Sequence, residues 1–344
     1  MLRVFVAALF GAGLVGLATL PAGAQDKKEK PKAPPRIAIN EPEKLKDDAD
    51  FATQGEYVGE VVLNEGKTKV GAQVVAKGEG KFAIKVLIGG LPGAGWDGKT
   101  AMVAEAKRGE DGAVAVTGKE LSGSIVAGKL MLKDGMKIDT SLAKTERTST
   151  TMGAKPPEGA IVLFGKPGDE ANWNGGKIVE LSDGKYLGVG VTSMKEFGAF
   201  QAHVEFRLPW MPNSSGQGRG NSGVYLQNRY EVQVLDSFGL KGENNECGGI
   251  YTMHKPSVNM CLPPMLWQTY DIAFTPAEFG DDGKRTKPGR TTIRHNGVTI
   301  HDDVELTKES GGGQAENSKP GPFQLQNHGD PLVYRNIWVV EMKK

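Results

Sequence analysis

The sequence predicts an all-β protein, with a small antiparallel β-domain leading into a sandwich or jelly roll. Glycine is abundant, 48 of 344 residues, and turn signals separate many short segments of β-forming residues. Two stretches near the middle alternate apolar and polar side chains with a period of two, which marks strands buried on one face. Long amphipathic helical windows are scarce.

The opening residues have the pattern of a secretory leader. Arg3 supplies the positive start, Val4 to Leu20 the apolar stretch, and Ala22-Gly23-Ala24 a small-residue cleavage site. A signal peptide over 1–24 predicts export, periplasmic or extracellular; a retained anchor is the alternative reading. No cysteine stands at the cleavage site, which argues against a lipoprotein. No later segment is apolar enough to span a bilayer. Residues 25–50, beginning with the charged, proline-containing Asp26–Pro35, read as a disordered leader.

From 51 to 140 a series of short β-like segments, such as Lys81–Ile88, Ser122–Val126 and Lys129–Lys133, predicts a meander or barrel of unknown role. It carries no Cys or His and a single tryptophan, Trp96. Residues 141–158 read as an interdomain linker. Residues 159–344 are again β-rich and contain Trp173, Trp210, Trp267 and Trp338. His295-Asn296-Gly297 predicts a hairpin, since Asn-Gly satisfies the positive φ angles of a tight turn. The formal net charge is +1 with acids and bases interspersed, so nothing favours a nucleic-acid partner. Cys247 and Cys261 are the only cysteines. An exported protein predicts a disulfide between them, and a structural zinc site is not expected.

The candidate site comes from the two alternating stretches. Asn221–Ser237, read as one strand, has Val224, Leu226, Val232 and Val234 on one face. Tyr225, Gln227, Arg229, Glu231 and Gln233 lie on the other. Phe200–Leu208 places Phe200, Ala202, Val204 and Phe206 against His203, Glu205 and Arg207. Joined by the glycine-rich loop Pro209–Gly220, the two predict neighbours in one sheet whose polar faces line a concave surface. Phe323–His328 adds Gln324, Gln326 and His328 to that surface. Such a mixture of an aromatic, amides and ionisable groups suits a polyhydroxylated ligand.

The run GRGNSGVYLQNRYEVQVLDS, followed by ECGGIY, WQTYDIAF, HNGVTIHDD and GPFQLQNHGDPLVYRNIWV, resembles the 3-keto-disaccharide hydrolase family, formerly domain of unknown function 1080. The resemblance covers about 159–344 and not the N-terminal β-domain. It implies a concanavalin A-like jelly roll and cleavage of 3-keto-glycosides by hydrolysis or by elimination across C1–C2. That chemistry needs a base for the C2 proton, an acid for the leaving group and donors for the oxyanion.

The expected proton carriers are Glu205, Glu231 and His328. The expected substrate contacts are His203, Asn221, Tyr225, Arg229, Gln233 and Gln326. Structural roles are the bland counterpart of each: Glu231 paired with Arg229 or Arg207, His328 and Asn221 serving turns. Asp236 is expected to be structural, His295 a surface turn residue, and His254 a weak candidate in a lid loop. The residues leave open whether a divalent metal serves as cofactor. Two rival readings remain: a non-catalytic carbohydrate-binding module, and an ordinary glycosidase using Glu205 and Glu231 as a carboxylate pair. Oligomeric state is not read from the sequence.

Overall fold

The computed structural model describes residues 36–63, 66–133 and 139–342. The expected signal peptide at 1–24 lies outside the described residues, as do residues 25–35 of the expected leader. No described helix is long and apolar enough to cross a membrane.

Eight antiparallel strands form a closed barrel: β1 (Gly55–Leu63), β2 (Gly66–Gly78), β3 (Lys81–Ile88), β4 (Ala101–Arg108), β5 (Val114–Thr117), β6 (Ser122–Val126), β7 (Lys129–Lys133) and β8 (Asp139–Thr145). Alternation dictates the packing. In β7, Leu130 and Leu132 are buried while Lys129, Met131 and Lys133 face outward. Ser141–Thr145, expected to be linker, closes the barrel: β8 pairs with β1 through Glu56↔Thr145 and Val58↔Ala143. Its polar composition disguised a strand that needs one buried residue, Leu142, to hold it in place.

The remaining strands make a two-sheet sandwich. They are β9 (Ile161–Phe164), β10 (Trp173–Asn174), β11 (Ile178–Leu181), β12 (Gly184–Leu187), β13 (Val191–Phe197), β14 (Phe200–Arg207), β15 (Ser222–Leu226), β16 (Tyr230–Val234), β17 (Trp267–Thr275), β18 (Glu278–Phe279), β19 (Arg285–Lys287), β20 (Gly289–His295), β21 (Val298–Leu306), β22 (Gly321–Leu325) and β23 (Val333–Glu341). The front sheet runs β10-β13-β22-β15-β16; the back sheet runs β11-β12-β23-β14-β17-β20-β21, with β9 beside β23, and β18 and β19 form a separate pair. Phe200, Val204 and Phe206 of the back sheet share one core with Val224, Val232 and Phe323 of the front sheet.

The structure corrects two expectations about these strands. Asn221–Ser237 is a hairpin and not one strand. Gln227 and Asn228 turn the chain at φ of +53° and +58°, and β15 then pairs with β16, Val224 opposite Val232 and Tyr225 opposite Glu231. Each partner pair shares parity, so the predicted faces survive the turn. β14, in contrast, lies in the opposite sheet from β15. Both sheets of a sandwich bury one face, so alternation alone does not say which sheet a strand joins. The Asn296-Gly297 turn forms as expected, with φ of +51° and +83°.

The described part of the expected disordered leader is ordered. Residues 36–53 form a 3₁₀ turn (Pro42–Leu45) and a short helix α1 (Ala49–Thr53) capped by Asp48, whose side chain accepts from the N–H groups of Asp50 and Phe51. Ile39 and Trp210 exchange backbone hydrogen bonds of 3.0 and 2.7 Å. Trp210, from the loop after β14, is fully buried within the barrel's apolar cluster. Its ring meets Phe51 edge-on at 5.3 Å, and its indole N–H donates to Asp48 at 3.0 Å. A sandwich residue thus completes the barrel core. Trp210→Ala is expected to cost about 3–5 kcal/mol and to separate barrel from sandwich unfolding, giving two denaturant transitions by fluorescence and circular dichroism.

Candidate active site

The site lies on the outward face of the front sheet, where Gln217, Asn221, Glu231, Gln233, Tyr251, Gly311, Gln326 and His328 line a cavity of about 250 Å3. Period-two geometry brings them together. Glu231 and Gln233 point outward from β16, while Gln326 and His328 follow β22, the neighbour of β15. The backbone N–H of Gln326 donates to the Gly223 carbonyl at 2.9 Å, continuing the sheet past the end of β22. Asn221 is pinned at the start of β15, its N–H donating to the Asp330 carboxylate at 2.8 Å. Arg36, from the ordered leader, pairs with that same carboxylate.

Glu231 is the carboxylic acid of this cavity, only 2% exposed. Burial pushes its carboxyl up to about 7, against the opposing pull of the Tyr225 hydroxyl. That hydroxyl donates to Glu231 Oε2 at 2.9 Å and lies 3.0 Å from the Gly311 carbonyl. The Glu231 backbone N–H donates to Ser310 Oγ at 2.9 Å. Neither arginine considered as its partner is present; the nearest protein support is a phenol. A side chain at 223, on the same face, would displace this carboxyl. A Cβ there would stand 2.2 Å from Glu231 Oε1 and 2.8 Å from its Cγ.

The expected site residues divide into two groups. Asn221, Glu231, Gln233, Gln326 and His328 converge in the cavity, and Tyr225 supports Glu231 from behind. Arg229 does not join them. It sits in the hairpin turn, donating to Gln227 Oε1 at 2.6 Å, Asn317 Oδ1 at 2.7 Å and the Lys319 carbonyl at 3.0 Å.

His203 and Glu205 belong to β14 and face away from the sandwich core on the outer side of the back sheet. Residues 146–157, the rest of the expected linker, cover them. The Gly153 N–H donates to Glu205 Oε1 at 2.6 Å, Arg335 Nε donates to Oε2 at 2.6 Å, and Asn336 Nδ2 donates to Oε1 at 2.9 Å. His203 Nδ1 is 2.6 Å from Asp271 Oδ1, and Thr151 donates to Asp271 at 2.6 Å. Burial works to raise the Glu205 carboxyl, but the hydrogen bonds outweigh it and hold the group at about 2. Burial likewise works against protonated His203, yet Asp271 and Glu205 leave its pKa above the ordinary value. These side chains form a structural clasp. The carboxylate pair of an ordinary glycosidase is therefore not assembled from Glu205 and Glu231.

Other expectations are settled locally. Asp236 is structural, paired with buried Arg219 at 2.5 Å. His295 is buried, not a surface turn residue, and lies 3.0 Å from Gln268. His254 contacts the Glu305 carbonyl at 2.7 Å, outside the cavity lining. Cys247 and Cys261, the expected disulfide pair, are free, buried thiols in this structure, and their side chains neighbour each other, with Cys247 Sγ also 3.2 Å from the Tyr270 hydroxyl. Among the described residues no three His, Cys, Asp or Glu side chains gather; in the cavity Glu231 and His328 stand beside the amides of Asn221, Gln233 and Gln326. Sequence reasoning missed Gln217, Tyr251 and Gly311, which come from irregular loops where no periodicity marks a face.

A family model described as a 3-keto-alpha-glucoside-1,2-lyase-like domain matches residues 142–340. No curated protein matches the chain. Among solved structures, a "putative glycosyl hydrolase" from Parabacteroides distasonis is 34% identical, with 54% of this chain and 85% of that one covered and a TM-score of 0.47. A second from the same organism, described in the same words, is 16% identical, with coverage of 54% and 95% and a TM-score of 0.37.

The two carboxyls predict opposite pH behaviour. Glu205, held below its ordinary value of 4.5, contributes stability that is present above that value and lost as pH falls towards about 2. Glu205→Gln is expected to lower the urea midpoint at pH 7 while leaving turnover by the folded protein unchanged. Glu231, raised from 4.5 to about 7, retains its proton in the folded protein at pH values where the unfolded chain has lost it. Stability therefore falls as pH rises through that window, by roughly 3 kcal/mol at most. Glu231→Gln is expected to raise the urea-derived stability by about 1–3 kcal/mol at pH 8 and to leave it unchanged at pH 4.

Proposed function

The chain belongs to the 3-keto-alpha-glucoside-1,2-lyase-like family, and from that premise we propose that it is an enzyme cleaving glycosides already oxidised at C3. The observation that carries this reading is Glu231, a buried carboxyl with a pKa of about 7 in a cavity otherwise lined by amides, a tyrosine, a glycine and a histidine. A ketone at C3 makes the C2 hydrogen acidic. A base poised near neutral pH is suited to removing it.

Glu231 takes the C2 proton, and the electron pair forms an enediolate with the C3 oxygen. As that pair returns, the C1–O bond breaks and the leaving oxygen takes a proton, for which His328 is the candidate donor. The product is the C1–C2 unsaturated ketosugar; water adding at C1 completes hydrolysis. Tyr225 keeps one Glu231 oxygen engaged at 2.9 Å, fixing which oxygen receives the proton. The expected export assigns this reaction to the periplasm or exterior, acting on oligosaccharides or glycosides oxidised elsewhere.

The test is release of a chromogenic aglycone from a 3-keto-glucoside. With Glu231 as base, kcat/KM should rise with pH through a midpoint near 7 and, since the leaving-group step needs a protonated donor, fall again on the alkaline side. Glu231→Gln should lose at least about a hundredfold and His328→Ala about tenfold to a hundredfold. Gly223→Ala, which displaces the carboxyl, should approach the Glu231→Gln loss while remaining folded. Folded wild type that binds sugar without releasing aglycone would sink the enzyme reading in favour of a binding module.

A further inference from the structure

Three amide oxygens in the cavity have no protein donor: Asn221 Oδ1, Gln233 Oε1 and Gln326 Oε1, each shielded from solvent. Asn221 and Gln233 are themselves 1% exposed. Leaving three buried acceptors unsatisfied is costly, and their orientation has an identifiable cause. Gln217 Nε2 donates to the Asn245 carbonyl at 2.7 Å. Since a backbone carbonyl only accepts, this fixes which end of the Gln217 amide faces inward. Its Oε1 then accepts from Asn221 Nδ2 at 3.1 Å and Gln233 Nε2 at 3.3 Å. Asn221 Nδ2 also donates to the Gln217 carbonyl at 2.8 Å. With both nitrogens held by Gln217, both oxygens are turned away from it. Gln326 is oriented separately, its Nε2 donating to the Tyr225 hydroxyl at 3.4 Å.

We propose that Gln217 is a positioning residue that sets a rack of amide oxygens reading the hydroxyl donors of a single neutral glycosyl unit, and that the rack rejects anionic sugars. This rests on the proposed glycoside-cleaving function. The cavity, about 250 Å3, is of a size for one sugar ring. Its lining has no Lys or Arg and only His328 as a group able to carry positive charge, so a uronate or sulfate would meet mainly acceptors and the Glu231 carboxyl. Unpaired acceptors and a like charge set against the wrong partner are one route to specificity. Because the rack touches hydroxyls that do not react, it holds ground state and transition state alike, and its loss falls on KM more than kcat.

The experiment pairs kinetics with binding on the full chain. Chromogenic 3-keto-glucoside and 3-keto-glucuronoside are compared for turnover; unoxidised methyl glucoside and methyl glucuronoside are compared by calorimetric titration. Wild type should favour the neutral member of each pair by at least about a hundredfold. Gln217→Met, similar in size but unable to hydrogen-bond through its side chain, should raise KM and Kd for the neutral sugar about tenfold, with kcat within about twofold. Gln217→Glu keeps the acceptor for Asn221 and Gln233 and should restore part of the loss. Acceptance of the uronosides within tenfold, or a Gln217→Met protein with unchanged KM and Kd, overturns the proposal. Selective, Gln217-dependent binding of methyl glucoside without any turnover would keep the rack and discard the reaction. Should the variants not fold, the wild-type comparison of neutral and anionic sugars decides alone.

Discussion

The pairing of Tyr225 opposite Glu231 across the β15–β16 hairpin is the constraint from which the site follows. A carboxyl this deeply buried has to be tolerated by the fold, and one phenol hydroxyl is a modest support for it. Stronger support from an arginine would satisfy the group and depress its pKa, as the clasp around Glu205 demonstrates on the opposite sheet. Two glutamates in one sandwich thus end at about 2 and about 7 by virtue of what surrounds them. Burial is common to both; donors decide the difference.

The arrangement also gives the barrel and the N-terminal segment a mechanical part in the site. Arg219 is buried and donates both to Asp236 and to the Ala76 carbonyl of β2, at 2.5 and 3.0 Å. Arg36 holds Asp330, and Asp330 holds the backbone of Asn221. Across residues 146–157, Arg147 pairs with buried Glu56 of the barrel at 2.6 Å while Gly153 and Ala154 engage the back sheet. These junctions rest on buried ion pairs, so relative movement of barrel and sandwich would strand buried charges.

Much of this was legible in the chain and some was not. Strand existence and facing followed from period-two alternation, and several barrel strands fall at the residues where alternation and turn signals placed them. Glu231 and Gln233 follow from facing, because even the unforeseen turn at Gln227-Asn228 preserved parity; Gln326 and His328 rest on the alternation of Phe323–His328 together with the family resemblance. Glu205 and His203 carry the same local signal as Glu231. What separates them is which sheet each strand joins, and that is set by long-range pairing of β14 with β17 and β23, with no trace in local pattern. The strand β8 and the covering segment after it were hidden by polar composition, since their partners are side chains distant in sequence. Gln217 had no periodic signal at all.

The loop from Pro209 to Gly220 carries Trp210 near one end and Gln217 near the other, with Arg219 beside it. One end is embedded in the barrel interior and the other forms the rim of the cavity. Cutting this chain back to the matched family segment would therefore expose Trp210 to water and leave the loop that carries Gln217 without its anchor in the barrel.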